Sequence, residues 1–302
     1  MSAQKSSTTL MDAPHSSRPI VAGMSRKAIC NGVKTVVLYA IILLMASLTL
    51  IPFLWMLSTS LKVRDQLYAF PPEWIPDPIT FESYRVLFDP LPFGTFFLNS
   101  LQVALLSTTG TLLACSLAAY AFARLRFPGR EIIFALLLTT MMIPAQVLLL
   151  PLFILYKNIG WLDTLYPLWV PSFFGSAFGT FLLRQFFLSL PSELTDAAKI
   201  DGCSHFGIYW RIILPLSGPG LATLGIFTFM GSWNSFLVPL IVINKIDLRT
   251  VPLGLAALQG SNEIRLNAVM AASTLSILPI LIVFFFAQKY FVQGVVLTGI
   301  KG

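Results

Sequence analysis

The side chains able to do chemistry in this 302-residue sequence are few and far apart. His15 and His205 are its two histidines and no HExxH joins them, so neither a metal pair nor a nucleophile-base triad is indicated. Cys30, Cys115 and Cys203 are scattered, odd in number and without a CxxC, which gives neither a zinc site nor a disulfide framework. There is no GxxxxGK[ST] and no Gly-Lys dipeptide, so the chain has no phosphate loop with which to bind and hydrolyse ATP. Leu216 to Gly220, LSGPG, superficially matches an ATPase signature, but without that loop it reads as a Gly/Pro entry into a helix. What remains is recognition by neutral groups. Asn99, Ser100, Gln102, Gln146, Ser172, Trp233, Asn234, Ser235, Asn267 and Gln288 stand inside otherwise apolar runs. In lipid each needs another helix, a backbone group or a wet cavity, and helix packing satisfies most such residues. Trp233 beside Asn234 is the exception in kind, because an aromatic face next to an amide is how a sugar ring is held. Trp233 and Asn234, with Gln146 and Asn99, are the candidates for lining a passage.

The elements that position these groups are membrane spans. With 56% hydrophobic residues, 11% charged residues and a mean hydropathy of +0.79, the chain is too apolar for a soluble domain. The net charge of +7 does not point to nucleic acid, because the basic residues sit at span ends rather than in blocks. A crossing helix needs ~20 mostly apolar residues. Six runs free of Asp, Glu, Lys and Arg meet that length, predicting an all-α protein with spans at about 36–57, 96–122, 132–156, 164–184, 216–243 and 266–288. The runs around spans 2 and 5 exceed a crossing. Their ends, Leu91 to Phe97 and Ile212 to Leu216, are expected at the interface or in flanking helices. Residues 1–33, rich in Ser, Ala and Pro, read as a disordered cytoplasmic tail, and the first apolar run begins too far in for a secretory signal. The Lys62 to Pro90 segment, broken by five prolines, is expected to form a lid or platform on the outer face. No internal repeat is evident, and no acid lies within a span, so an ion-coupled pump gains no support.

Basic residues set the orientation, since short loops rich in Lys and Arg stay cytoplasmic. Arg124 to Arg130, RLRFPGR, gives the clearest indication; Arg184, Lys199 and Arg211 agree with it, and both termini then face the cytoplasm. Ser192 to Pro219 is a polar island on that side. Ser192 can cap a first helix with Leu194, Ala197 and Ala198 along one face. Gly202 ends it, and Ser204 can cap a second helix carrying Phe206, Tyr209, Trp210 and Ile213 at helical spacing, closed by Pro215. The product is a helix-turn-helix outside the bilayer, spanning about 190–215.

This island resembles the cytoplasmic EAA loop of binding-protein-dependent ABC importer permeases, and the chain after about Thr35 resembles the maltose-type carbohydrate permeases. The family pattern is an acidic residue, two alanines, Asp-Gly, then an aliphatic residue with Leu-Pro. Here it reads Asp196, Ala197, Ala198, Asp201, Gly202, Ile213, Leu214 and Pro215. Asp196 replaces the usual Glu and Cys203 a common Ala. Asn99 to Arg130, Phe181 to Pro191, Trp233 to Leu240 and Gln288 to Gly302 resemble further family segments in order, although Ser235 stands where an acid is frequent. The resemblance implies a pore-forming, non-catalytic subunit of a sugar importer in the cytoplasmic membrane. It would pair with a second, homologous permease and sit on two ATPase subunits that bind ATP and magnesium. It would receive sugar from an extracytoplasmic binding protein. The loop would couple the ATPases to the spans, with Asp196 and Asp201 orienting it. An importer of glycerol 3-phosphate or a related phosphodiester, and a secondary transporter or channel, are the alternatives left open.

Overall fold

The computed structural model describes residues 26–89, 91–259 and 266–298. Every regular element among them is helical, as the lipid-facing composition demands, because a helix satisfies its own backbone where water is absent. The chain divides into two units, residues 1–53 and 54–302. The described part of the first is most of α1 (Arg26–Ser60), an apolar helix whose side chains from Val36 to Leu54 are largely exposed and whose Thr49 hydroxyl donates to the Met45 carbonyl. Its backbone is helical from Arg26, within the stretch read as a tail; residues 1–25 and both termini lie outside the described residues.

The second unit is built on α3 (Phe93–Arg124), an unbroken 32-residue helix that packs chiefly against α11 (Gly218–Trp233) and α7 (Ala177–Ser189). Close approach is enforced at Gly110, where any Cβ would overlap the ring of Phe173. Two apolar cores lie along α3. One gathers Phe93, Phe96, Ala104, Phe229, Trp233 and Ala268; the other gathers Cys115, Tyr120, Leu183, Phe187, Tyr209 and Leu224. In the first, Phe93 and Phe96 are buried with residues of α2 (Glu82–Phe88) and α13 (Val251–Gln259), and the stretch from Phe93 to Phe97, expected at the interface or in a flanking helix, is the start of α3.

Three helical stretches are long and apolar enough to cross a bilayer: Lys34–Ser60, Phe93–Arg124 and Leu266–Gln288, the last within α14 (Leu266–Thr298). Three further pairs are bent, giving up to six crossings if each pair is one span. The bends fall at residues 143–144, at 190–192 (78°) and at Ser217 (78°), and further helix breaks inside these stretches arise from identifiable residues. Span 3 divides into Arg130–Met142 and Ala145–Asn158 at 90°. Pro144 has no N–H to donate and drives Ile143 to an extended ψ of 117°, separating α4 (Arg130–Thr139) from α5 (Leu149–Asn158). In span 4, α6 (Tyr166–Trp169) and a 3₁₀ turn stop at Gly175, at φ +82°, and Ser176 then caps α7 by accepting the Gly179 N–H. The Ser176 N–H freed by that break is taken by the Cys115 sulfur at 3.2 Å. In span 5, α11 ends at Trp233 and α12 (Leu237–Val242) resumes after three non-helical residues.

The segments expected outside meet near the amino-terminal end of α3. Asn99 donates to the carbonyls of Asp247 and Arg249, and Ser100 accepts the Val251 N–H. Asp163, left-handed at φ +54°, accepts the N–H groups of Asn244 and Lys245 through one carboxylate oxygen, and those bonds hold its pKa below the usual carboxylate range. The Lys62–Pro90 segment is pinned by the Lys62 ammonium, which lies 4.0 Å over the Trp55 ring and donates to the Glu73 carbonyl, and by a 2.9 Å hydrogen bond between Ser60 and Tyr84.

Candidate functional site

The polar island folds as two helices on the opposite end of α3. The first, α8, is Glu193–Ile200. Ser192 stands at its N-cap position but in helical conformation, and its side chain makes no cap bond; only its carbonyl is used, by the N–H groups of Thr195 and Asp196. The termination is as the sequence required. Gly202 is left-handed at φ +78°, its N–H bonds the Lys199 carbonyl, and the Cys203 N–H bonds the Ala198 carbonyl at 2.9 Å. That 6→1 and 5→2 pair is a Schellman termination, in which the left-handed position suits glycine. The second helix runs His205–Leu216. Ser204 caps it by accepting the Gly207 N–H at 3.1 Å, and it passes from α9 (His205–Ile208) through a π turn at Tyr209–Ile213 into α10 (Leu214–Leu216), with Pro215 near its start. A π turn widens the coil by one residue. Here Ile208, just before it, and Tyr209 and Ile213, at its two ends, are all buried.

The faces of α8 differ from the sequence reading. Thr195 and Ala198 point inward, whereas Leu194, Ala197 and Ile200 are exposed, so the two alanines of the motif lie on different sides. On the second helix Tyr209 and Ile213 are buried, and Phe206 and Trp210 stay outside, their rings stacked 6.4 Å apart at 15°. The outcome is an apolar outer surface of Leu194, Ile200, Phe206 and Trp210 on an otherwise polar protrusion. Asp196 pairs with Lys199 at 3.5 Å across an exposed face, an arrangement that contributes a few tenths of a kcal/mol. Asp196 and Asp201 are both exposed. Leu214 packs against the inner core instead.

Two anchors that the sequence did not single out hold this unit to the spans. The Tyr209 hydroxyl shares a 2.8 Å hydrogen bond with Ser116 of α3 in a buried setting, beneath the Tyr120 ring. Arg124, at the last turn of α3, places one guanidinium nitrogen 2.7 Å from the carbonyls of both Phe187 and Leu190. Phe187 lies in the last turn of α7, where its carbonyl also accepts the Leu190 N–H, and Leu190 is the C-cap; a cation at that end is favoured by the helix dipole as well. Arg184 adds a bond to the Phe122 carbonyl and lies 4.2 Å over the Phe134 ring. The arginines read as topology markers are thus also fasteners between the first inner loop and the approach to the island.

The candidate passage residues are not brought together. Trp233 is buried, donates its indole N–H to the Ser276 carbonyl at 3.1 Å and stacks on Phe229, so it packs α11 against α14. The Asn234 amide donates back to the Met230 carbonyl, closing the end of α11. Asn99 is committed to the outer loop carbonyls, and Gln146 is exposed beside the span 3 break. A cavity of about 290 Å³ lies at the break between α11 and α12, lined by none of these four. Ser107, Ser172, Thr228, Ser232, Ser235 and Thr250 line it with Val103, Pro239 and others, and no charged side chain takes part. The Thr250 hydroxyl is buried without a partner. Non-helical backbone at membrane depth is tolerated where it lines a cavity. A single hydroxyl in an apolar run is too common to mark such a site in the sequence; only the fold gathers six.

The sequence matches, over residues 110–297, the model of the family described as binding-protein-dependent transport system inner membrane component. It is 37% identical over 264 residues to the arabinooligosaccharides transport system permease protein AraQ of Bacillus subtilis (strain 168), covering 86% of this chain and 93% of that one. It is 34% identical to the lactose transport system permease protein LacG of Rhizobium radiobacter, covering 86% and 94%, and 34% identical to the sn-glycerol-3-phosphate transport system permease protein UgpE of Yersinia pestis bv. Antiqua (strain Antiqua), covering 77% and 85%. The fold aligns with a chain in the crystal structure of a bacterial ABC transporter involved in the import of the acidic polysaccharide alginate, at a TM-score of 0.73 and 24% identity, over 88% of this chain and 98% of that one.

Proposed function

The chain belongs to the binding-protein-dependent transport system inner membrane components, and on that premise we propose that it is the permease subunit of an ATP-driven importer for a neutral sugar or oligosaccharide. It contributes one half of the translocation pathway and supplies no catalyst of its own. ATP and magnesium are bound by two partner ATPase subunits, a second permease completes the pathway, and an extracytoplasmic binding protein delivers the solute. The protrusion from Ser192 to Leu216 faces the cytoplasm with both termini and couples ATPase closure to the spans. Its exposed Leu194, Ile200, Phe206 and Trp210 make an apolar docking surface, with Asp196 and Asp201 as charged contacts at its rim. Alternating access follows when the binding energies of these partners differ between inward-open and outward-open states.

The observation that carries the solute class is the uncharged, hydroxyl-lined cavity at the α11–α12 break. Serine and threonine hydroxyls donate and accept alike, which suits a polyol and gives no counter-charge to a phosphate. That weighs against glycerol 3-phosphate, the solute in the name of one relative. The test is a mild-detergent pull-down of the tagged chain from its native membrane. Recovery of a second permease, an ATPase with a phosphate loop and a sugar-binding protein supports the importer. Repeated recovery of the chain alone, with uptake driven by an ion gradient, refutes it. Screening the recovered binding protein against neutral oligosaccharides and phosphate esters then decides the solute class.

A further inference from the structure

A second cavity, of about 930 Å³, opens between the first inner loop and the inner flank of α8. Arg124, Arg126, Arg130 and Lys199 line it, with His205 and the single carboxylate Asp196. Several of these groups are engaged: Arg130 with Glu131 and the Leu125 carbonyl, Lys199 with Asp196 at 3.5 Å, and Arg124 with the Phe187 and Leu190 carbonyls. The Thr195 hydroxyl, on a residue 4% exposed, has no hydrogen-bond partner, and neither has the buried Nε of Arg124. Arg126 is exposed and makes no hydrogen bond or ion pair among the described residues. Three arginines and a lysine against one carboxylate, with Arg126 unpaired, call for an acceptor-rich, negatively charged ligand.

The cavity also continues toward lipid. A neighbouring hollow shares Arg126, Phe127 and Arg130 and reaches Ile132, at the start of α4, where Ile132 and Ile133 are exposed on an apolar span. A ligand with an anionic head in the basic cavity and apolar chains along α4 satisfies both parts. Basic pockets at the cytoplasmic ends of spans hold lipid phosphates in this way. We propose that this cavity is a binding site for the phosphodiester headgroup of an anionic membrane lipid, seated on Arg126 and Lys199 with Arg124 and Arg130 adding positive charge, and wedged between the coupling protrusion and span 3. The site is separate from the solute passage and does not depend on what is transported.

The experiment is native mass spectrometry of the full chain in mild detergent, titrated with dioleoylphosphatidylglycerol or dioleoylphosphatidylcholine. One phosphatidylglycerol is expected to be retained in preference to phosphatidylcholine. Arg126→Gln and Lys199→Gln should each weaken retention by about fivefold, the effect of removing one basic group near a lipid phosphate. Both residues are exposed, and unchanged size-exclusion profiles check that the variants fold. Lys157→Gln, on the opposite face, should change nothing. Retention unaltered in both cavity variants, or equally reduced by Lys157→Gln, overturns the site. Displacement by millimolar inorganic phosphate, with the same dependence on Arg126, overturns the headgroup and assigns the cavity to free phosphate. Loss of the lipid on assembly with the ATPase subunits overturns it in favour of a partner carboxylate.

Discussion

Gly202 offers a clean separation of backbone conformation from contact. Its φ of +78° is one that L-residues avoid, and a Cβ built there meets no atom within 4 Å. A substitution therefore costs only the left-handed conformation, about 1–2 kcal/mol for an ordinary residue, with Val at the upper end and Asn well below it because Asn tolerates that region. At 25 °C, 1–2 kcal/mol shifts the closed form of the turn by roughly 5- to 30-fold. Because Gly202 and Cys203 supply the N–H groups that end α8, an open turn releases the carbonyls of Ala198 and Lys199 and lets the two helices of the protrusion move apart. The expected order of ATPase activity stimulated by the binding protein, in the reconstituted complex, is Gly202, then Asn, Ala and Val, while the amount of chain inserted in the membrane stays constant. If Gly202→Asn is as damaging as Gly202→Val, the partner needs the empty space at this position and the conformational argument is wrong. Full activity in Gly202→Val removes the turn from the coupling mechanism altogether.

Three other measurements bear on the anchors. Arg124→Met removes two 2.7 Å bonds to carbonyls, each a hydrogen bond to a charged donor, and should lower the stability of the purified chain by about 2–4 kcal/mol in a thermal-shift assay, whereas Lys157→Met should not. Tyr209→Phe and Ser116→Ala should each cost about 1–2 kcal/mol, and the double variant less than the sum, because the second change no longer strands a buried hydroxyl. An additive double-mutant cycle would sink that pairing. Asp163 has its pKa depressed by the Asn244 and Lys245 N–H groups, so the stability it supplies is present above the unfolded carboxylate value, near 3.9, and is lost as pH falls through its lower folded value. Asp163→Asn, which keeps the left-handed conformation, should be less stable at neutral pH and show a smaller loss on acidification, followed by tryptophan fluorescence.

The helical class and the Gly202 turn were legible because they follow from local rules: apolar runs long enough to cross, and a position that only glycine fills without strain. The coupling role proposed for the protrusion rests on the family pattern. The faces of α8 were not legible, since the side that is buried, Thr195 and Ala198, is chosen by where Tyr209 sits and not by the most apolar residues of the helix, Leu194 and Ile200. The span breaks were half visible: Pro144 stands in the sequence, but a proline in a membrane run also occurs in a continuous, kinked helix, and only packing decides. Trp233 packs α11 against α14, and an indole beside an amide has the same composition whether it faces a solute or a neighbouring helix. The difference lies in the Ser276 carbonyl, 43 residues away.

The continuity of α3 stands out against the interruptions in the spans beside it. At 1.5 Å per residue its 32 residues extend roughly 48 Å. One end is bonded through Ser116 and Arg124 to the protrusion and to α7, the other through Asn99 and Ser100 to the loop after span 5. It is therefore a lever with a load at each end. A tilt of about ten degrees around its middle, at Gly110, moves each tip by roughly 4 Å in opposite directions. An inward swing at the protrusion end would become an outward swing at the other, with the breaks in the neighbouring helices as the joints.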